Sequence, residues 1–266
     1  MKLLVVVALA ACGRSEPPAS QPAPVATPDA ALAVAPVDAT LAPAIIPATT
    51  RELVVAIVDS WDATAATLRR YRRGGTTWQL VGEPWPGVVG QTGTAWGAGL
   101  HGPGKPAGRE GPVKREGDGK SPAGVFALRG SYGYAKSAPA GTKLAYTSVS
   151  EPWKCVDDPA STHYDTILDR RTVKQDWKSA EDMRRSDELY TWTIDVAHNP
   201  KHLPGGGSCI FLHVWRGTKS ATVGCTAMAE AKLAALLADL DREAAYVLLP
   251  RSEYDALATA WALPPL

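Results

Sequence analysis

A histidine and a cysteine stand twelve positions apart in the segment HVWRGTKSATVGCTAM, which runs from His213 to Met228. A thiolate is a strong nucleophile, and an imidazole within hydrogen-bonding reach is a common base for activating it. His213 lies in the apolar run SCIFLHVW, which predicts a buried strand. Two interpretations stay open for His213: a base for Cys225, or a structural histidine that is hydrogen-bonded inside the core.

The neighbours of Cys225 favour a reactive thiol. Gly224 precedes it in a predicted turn, and a helix is predicted to begin at Ala227. The positive end of a helix dipole lowers the pKa of a nearby thiol and favours the thiolate. We therefore expect Cys225 to be a thiolate nucleophile.

Strands are predicted to form most of the scaffold that positions this pair. β-branched and apolar runs bounded by polar residues or glycine predict strands in ELVVAIVDSW, TTWQLVG, GVFAL, TWTIDV and SCIFLHVW. Two helices are predicted, from Thr64 to Arg72 and from Ala227 to about Ala245. The charged segment DRRTVKQDWKSAEDMRRSDELY is predicted to mix a loop with a short helix and to be a solvated face. One mainly β domain from residue 51 to 266 is expected.

The first residues, MKLLVVVALAAC, have one cation and a short apolar run that ends at a cysteine. About nine apolar residues are too few to span a bilayer and are typical of an export signal, here residues 1 to 11. The junction Leu-Ala-Ala-Cys resembles the bacterial lipobox, which implies that Cys12 is lipidated. An ordinary cleaved signal with an incidental Cys12 is the alternative. By resemblance to bacterial lipoproteins, Gly13 implies the outer membrane, with the chain on the periplasmic face of the cell envelope.

The segment from residue 12 to 50 is rich in proline and alanine and is predicted to be a lipid-anchored tether. A passive spacer is favoured over a binding motif. The formal net charge of the chain is +1. Because binding to nucleic acid depends on clustered positive charge, no nucleic-acid partner is expected.

Cysteine parity predicts one disulfide. With Cys12 lipidated, three cysteines remain in an oxidising compartment, and three pairings are possible. Cys225 has the surroundings of a reactive thiol, so Cys155 and Cys209 are predicted to pair.

Three segments together resemble the L,D-transpeptidase (YkuD-like) catalytic domain, over roughly residues 52 to 250. They are GGGSCIFLHVWRGTKSATVGCTAM, VVGQTGTAWGAGL and VKREGDGKSPAGVFAL. The family signature is a histidine, a variable loop, Ser or Thr, His, Gly and a nucleophilic cysteine. By position the matching residues are Cys225 as nucleophile, His213 as base, Gly224 as oxyanion-hole glycine and Thr222 as the Ser/Thr. The resemblance implies a β-sandwich or barrel-like fold with a helix after the cysteine, and neither a metal nor another cofactor.

The implied activity is acyl transfer on peptidoglycan stem peptides through a thioester. An amine acceptor gives a cross-link, as in a transpeptidase, whereas water gives an L,D-carboxypeptidase. Val223 stands where most members have a histidine, and Ala227 where many have a polar or basic residue. A catalytically inactive lipoprotein that binds peptidoglycan is the alternative from another functional class.

Further residues are predicted to complete the site. Thr222, Trp96 in TAWGAG, and Asn199 are expected to contact substrate, and the GGGSC segment is expected to line the groove. The candidates for orienting His213 are Asp195, His198, Asn199 or a backbone carbonyl. Structural or surface roles are favoured for His198 and His202.

Overall fold

The computed structural model describes residues 45 to 266. The predicted signal peptide, the lipidation of Cys12 and the tether up to residue 44 lie outside the described residues. Ile46 is buried in an apolar cluster with Leu53 and Trp261, although the sequence assigns it to the tether. The folded domain therefore begins before the expected boundary at residue 51.

Strands dominate the described residues. They are β1 (Glu52–Val58), β2 (Ala65–Gly74), β3 (Thr77–Leu80), β4 (Trp85–Val88), β5 (Thr94–Trp96), β6 (Ser121–Gly133), β7 (Tyr146–Ser148), β8 (Trp153–Val156), β9 (Ile167–Asp169), β10 (Ala180–Asp182), β11 (Trp192–Val196), β12 (Phe211–Val214), β13 (Thr226–Met228) and β14 (Ala245–Pro250). The α-helices are α1 (Glu230–Asp239) and α2 (Arg251–Leu257), and a 3-10 turn covers Arg170–Thr172. Between residues 45 and 266, no helix has the length and apolar character needed to cross a membrane.

Eight strands close into a barrel-like ring. Neighbours follow the order β1, β14, β6, β11, β12, β13, β4 and β2, and β2 pairs with β1 to close the ring. β3 extends the sheet beyond β2, while β5 and β7 pair with β6. The prediction of a mainly β fold with few helices is confirmed.

Side-chain alternation divides the apolar residues of β1 between two clusters. Val54, Ala56 and Val58 pack in the cluster that contains the leucines of α1. The alternate residues Leu53, Val55 and Ile57 pack in the cluster that contains Tyr254 and Leu257 of α2. Because both faces of the strand are covered, β1 is apolar along its length, as strands buried on two sides are.

Two helix predictions require correction. The segment from Thr64 to Arg72 is not a helix: Ala66 and Leu68 of β2 are buried while Ala65 and Thr67 are exposed, which is the period of a strand. Hydrogen bonding to β1, β3 and β4 overrides the helical spacing.

The helix after the cysteine begins later than predicted. Ala227 lies in β13, which fills the gap between β12 and β4, so pairing on both sides fixes it as a strand. The helix α1 starts at Glu230 and ends well before Ala245, which begins β14.

A second sheet, which we call the small sheet, has three strands in the order β10, β8, β9. Cys155 on β8 forms a disulfide with Cys209, just before β12, with 5.9 Å between the Cα atoms, and this is the predicted pair. Closing a loop of this length stabilises the fold by about 4 kcal/mol in the chain-entropy model. The disulfide therefore links the small sheet to the strand that carries His213.

Candidate active site

His213 and Cys225 lie on the same face of two paired segments. Parallel pairing matches Leu212 with Thr226 and His213 with Ala227. Alternation therefore puts His213 on the side of Cys225 and Ala227, away from Leu212. Leu212 packs in the α1-side cluster, whereas Cys225 packs in a third cluster that includes residues of the small sheet. The pair thus lies between the barrel-like ring and the small sheet.

The thiol of Cys225 is buried, with 4% of the residue exposed. Its sulfur accepts a hydrogen bond from the Phe211 N–H at 3.3 Å, and the S–H donates to the Cys209 carbonyl at 3.5 Å. Burial raises the pKa of the Cys225 thiol, and the nearby Glu181 carboxylate raises it further. Cys225 is therefore a neutral thiol at rest. The predicted thiolate is wrong, because strand β13 separates the thiol from α1 and desolvation opposes the charge.

His213 is 6% exposed, and its ring has one defined tautomer. Nδ1 lies 2.7 Å from the Val214 carbonyl oxygen, which can only accept, so Nδ1 carries the proton. Nε2 keeps its lone pair, and no group within residues 45 to 266 is hydrogen-bonded to it. Burial lowers the pKa of His213 to about 4, so the ring is neutral at pH 7. A neutral imidazole with an open Nε2 is the form that accepts a proton.

The group that orients His213 is therefore a backbone carbonyl, one of the four candidates. Asp195 instead pairs with Arg129, with 3.0 Å between Oδ2 and Nε. His198 is buried, contacting the Gly206 carbonyl at 2.9 Å, and accepts a hydrogen bond from the Ala98 N–H. These two side chains have structural roles.

A tight turn holds Cys225 in place. The Thr222 hydroxyl accepts from the Gly224 N–H at 3.2 Å and donates to the Cys225 carbonyl at 2.6 Å. The Ser121 hydroxyl donates to the same carbonyl at 2.8 Å. Thr222 is thus a positioning residue. The oxyanion-hole role predicted for Gly224 is wrong, because its N–H already donates to Thr222. The N–H of Cys225 has no acceptor within residues 45 to 266, so it is the group available to an oxyanion.

Two cavities meet at the thiol. Compartment A has a volume of about 230 Å³ and is lined by Arg185, Tyr190, His213, Trp215, Arg216 and Thr222, among others. Compartment B has a volume of about 300 Å³ and is lined by Gln91, Lys114, Glu116, Asp157, Ser208 and Gly224, among others. Glu181, Val223 and Cys225 line both. Val223 is 66% exposed, so an apolar side chain stands at the junction of the two cavities.

Compartment A has two guanidinium groups in its lining. Arg185 donates from Nε to Asp187 Oδ1 at 2.8 Å, and Arg216 donates from Nη2 to Asp187 Oδ2 at 2.8 Å. These contacts hold the pKa of Asp187 well below its usual range. Two guanidinium groups thus share the Asp187 carboxylate, and Glu181 is the second carboxyl group beside them in compartment A.

Compartment B has an excess of negative charge. The ammonium of Lys114 is matched by Asp118, with 2.6 Å between Nζ and Oδ1. Glu116 accepts from the hydroxyls of Tyr164 and Ser208 and forms no ion pair within residues 45 to 266. The Asp157 Oδ1 atom is buried and has no hydrogen-bond partner in the described part of the chain.

Glu181, on β10, lies directly opposite Cys155 of the disulfide. Its Oε2 accepts a hydrogen bond from the Tyr190 hydroxyl at 2.6 Å, and burial raises the pKa of its carboxyl group. Glu181, Arg185 and Tyr190 all come from the charged segment that was predicted to be a solvated face. That prediction is wrong, because the disulfide fixes part of the segment against the ring. The sequence signal for burial was the presence of Leu189 and Tyr190 at the end of this charged segment.

Two predicted substrate contacts are also wrong. Trp96 has no exposed surface: it packs among Trp61, His101 and Trp261, and its Nε1 donates to the Glu110 carbonyl at 2.7 Å. Asn199 is buried away from both compartments, where its amide bonds the carbonyls of Leu203 and Gly207. Asn199 therefore stabilises the GGGSC loop through these hydrogen bonds and does not line either compartment. Of that loop, Ser208 and Cys209 reach compartment B.

The site has the residues for thiol chemistry. No group of three His, Cys, Asp or Glu side chains between residues 45 and 266 is arranged to hold a metal ion. A scan against models of protein families found no match, and neither curated proteins nor solved structures gave a match.

Proposed function

We propose that the protein is a cysteine acyltransferase that acts on peptidoglycan stem peptides as an L,D-transpeptidase, and that its ring is a form of the L,D-transpeptidase fold. One observation carries the proposal: the thiol of Cys225 and the neutral imidazole of His213, with its open Nε2, line the same cleft. His213 lies on β12, and Cys225 directly precedes the paired strand β13. The order of His213, Thr222, Gly224 and Cys225 along the chain supports it.

Acylation begins from a neutral pair. Cys225 Sγ attacks the carbonyl carbon of the third stem residue, and His213 Nε2 takes the thiol proton during the attack. No buried thiolate therefore has to form beforehand. The Cys225 N–H donates to the developing oxyanion, a contact that contributes about 3 to 4 kcal/mol in comparable sites. The imidazolium then protonates the leaving amine. The C–N bond breaks, a terminal D-amino acid leaves and a thioester remains.

Compartment A receives the donor. The guanidinium groups of Arg185 and Arg216 bind the terminal carboxylate of the stem peptide, because their planar donor groups suit that planar anion. His213 lines the same compartment, close to the amine that leaves. This arrangement supplies carboxylate recognition although Val223 and Ala227 depart from the family pattern.

The thioester is resolved by a second nucleophile. An amine of another stem forms a new C–N bond as the C–S bond breaks, which gives a cross-link. Water at the same step gives a carboxypeptidase. Proximity of a bound acceptor raises its effective concentration and favours the amine.

A lipid anchor at Cys12 places this chemistry near its polymer. In this proposal the acylated N-terminus inserts in the outer membrane, and the proline-rich tether lets the domain reach peptidoglycan. Intact-mass analysis of the mature protein tests it: diacylglyceryl-modified Cys12 in the membrane fraction is expected, and an unmodified protein free in the periplasm would contradict it.

Tetrapeptide muropeptides test the activity. Purified mature protein is incubated with them and the products are identified by mass spectrometry. A dimer joined through third residues is expected, with free D-alanine. Tripeptide without dimer would identify a carboxypeptidase, and no product from a protein that a carbapenem acylates would mean a different acyl donor.

A binding role without catalysis is the second candidate, since the thiol is buried and its pKa is raised. Peptidoglycan pull-down together with carbapenem labelling separates the two functions. Binding without any mass increase on Cys225 would favour the binding module.

A further inference from the structure

Glu181 lies where the two compartments join. It lines both of them together with Cys225, whereas His213 lines compartment A and not compartment B. A molecule that reaches the thiol through compartment B therefore meets the Glu181 carboxyl group.

The charges of compartment B suit an organic cation. Lys114 is matched by Asp118, which leaves Glu116, Asp157 and Glu181 without a cationic partner within residues 45 to 266. These carboxylates do not form a metal-binding group in the described part of the chain. The Tyr190 hydroxyl donates a hydrogen bond to Oε2 of Glu181. The other oxygen, Oε1, accepts no hydrogen bond within residues 45 to 266. A primary ammonium donates three hydrogen bonds and fits such a set of separated acceptors.

We propose that Glu181 is a further catalytic residue, which binds the ammonium group of the acyl acceptor in compartment B and removes its first proton. This inference rests on the proposed function. An ammonium must lose two protons to form an amide. Glu181 takes the first and gives a neutral amine. The amine attacks the thioester, His213 Nε2 takes the second proton, and that proton passes to the departing Cys225 sulfur.

The position of Glu181 depends on the disulfide. Glu181 is paired with Cys155 across β10 and β8, and Cys155 is bonded to Cys209. Cys209 supplies the carbonyl that accepts from the Cys225 thiol. Strand pairing, the disulfide and a hydrogen bond to the thiol therefore connect Glu181 to the Cys225 sulfur. Burial raises the pKa of Glu181, which makes it a better proton acceptor than an exposed carboxylate.

The test separates acylation from aminolysis. Full-length wild type, Glu181→Gln and Glu188→Gln are acylated with a tetrapeptide donor and then given either a stem peptide amine or hydroxylamine, which is uncharged at neutral pH. Glu188 belongs to the same charged segment but is exposed, accepts from Thr191 and lies outside both compartments, so it is the matched control. Thioester formation and product ratios are measured by mass spectrometry.

Glu181→Gln is expected to form the thioester still, at a changed rate because the carboxylate that raises the pKa of Cys225 is gone. From the preformed thioester, the ratio of aminolysis by the peptide ammonium to aminolysis by hydroxylamine should fall about 10- to 100-fold, the scale of a hydrogen bond to a charged group. The rate of Glu181→Gln with hydroxylamine should match wild type, which a merely structural defect would not allow. Equal use of the charged amine by wild type and Glu181→Gln would overturn the inference and leave the proposed function intact. Absence of wild-type acylation would instead overturn the proposed function.

A measurement on wild type covers the case in which Glu181→Gln does not fold. High salt weakens the long-range attraction of a charged amine to the acidic compartment B, so it should slow aminolysis by subsaturating peptide ammonium and leave aminolysis by hydroxylamine unchanged. Equal salt dependence for both amines would contradict a charged contact.

Discussion

Compartments A and B share Cys225, Glu181 and Val223, and the rest of their linings differ. Compartment A has a base with an open lone pair and the guanidinium groups of Arg185 and Arg216. Between residues 45 and 266, the lining of compartment B has no imidazole, and its carboxylates Glu116 and Asp157 form no ion pair. In the proposed function, this difference gives the anionic donor guanidinium groups in compartment A and the cationic acceptor carboxylates in compartment B.

The largest effect is expected from Cys225→Ala, which removes the atom that the compartments share. Thioester formation with a carbapenem or a tetrapeptide should disappear, as followed by mass spectrometry. The variant should still fold, because deleting one buried sulfur costs about 1 kcal/mol. A normal thermal melt is the control. Wild-type turnover by this protein would exclude thiol catalysis.

His213→Gln removes the base that lines compartment A. Glutamine cannot accept the thiol proton, so acylation should fall about 10²- to 10⁴-fold. The pKa of His213 is lowered to about 4 in the fold, against about 6.5 in the unfolded chain.

The lowered pKa of His213 makes the stability of the fold depend on pH. Between pH 6.5 and 4 the unfolded chain binds a proton that the fold does not, so the stability present above pH 6.5 is lost as the pH falls through this range. Thermal melts should show a smaller loss for His213→Gln than for wild type. His198, whose pKa is also lowered to about 4, keeps part of the slope in the variant. An acylation rate that falls already at pH 6.5 would contradict a buried neutral base.

Removal of the disulfide acts on compartment B. The pair Cys155→Ala and Cys209→Ala should lower the free energy of unfolding by about 4 kcal/mol. For a domain of this size that is a fall in Tm of about 8 to 16 °C. Since Cys155 lies opposite Glu181, preference for the peptide ammonium over hydroxylamine should also decline, measured well below the melt. Unchanged preference would show that the small sheet holds Glu181 without the disulfide.

The smallest effect is expected from Arg216→Gln. Loss of one charged hydrogen-bond donor should raise KM for the tetrapeptide donor about tenfold and leave aminolysis of the preformed thioester unchanged. Arg184→Gln is the matched control, because Arg184 stacks on Tyr134, 3.8 Å from the ring centre, and lines neither compartment. Equal changes in KM for the two variants would contradict the proposal that compartment A binds the donor.

Local pattern was enough for part of the fold and failed where pairing partners were distant. The apolar run of β1 predicted a strand whatever its neighbours, but Thr64 to Arg72 has a pattern that suits both a helix and a strand. Its partners β1 and β4 decided the outcome. Trp96 shows the same limit in the site, because an aromatic residue near glycines is equally compatible with a groove and with a core.

The mainly β class and the order of His213, Gly224 and Cys225 could be read from the sequence, because they depend on composition and position along the chain. Parity required one disulfide but left three pairings, and the thiolate environment used to choose Cys155 and Cys209 is not the one in the fold. Folding therefore fixed the pairing, the protonation of His213 and Cys225, and the presence of Glu181 beside them. The pKa values of Cys225 and His213 depend on how much water the small sheet excludes, and that sheet comes from residues far along the chain. Desolvation is a property of the packed site, so no local pattern around His213 or Cys225 contains it.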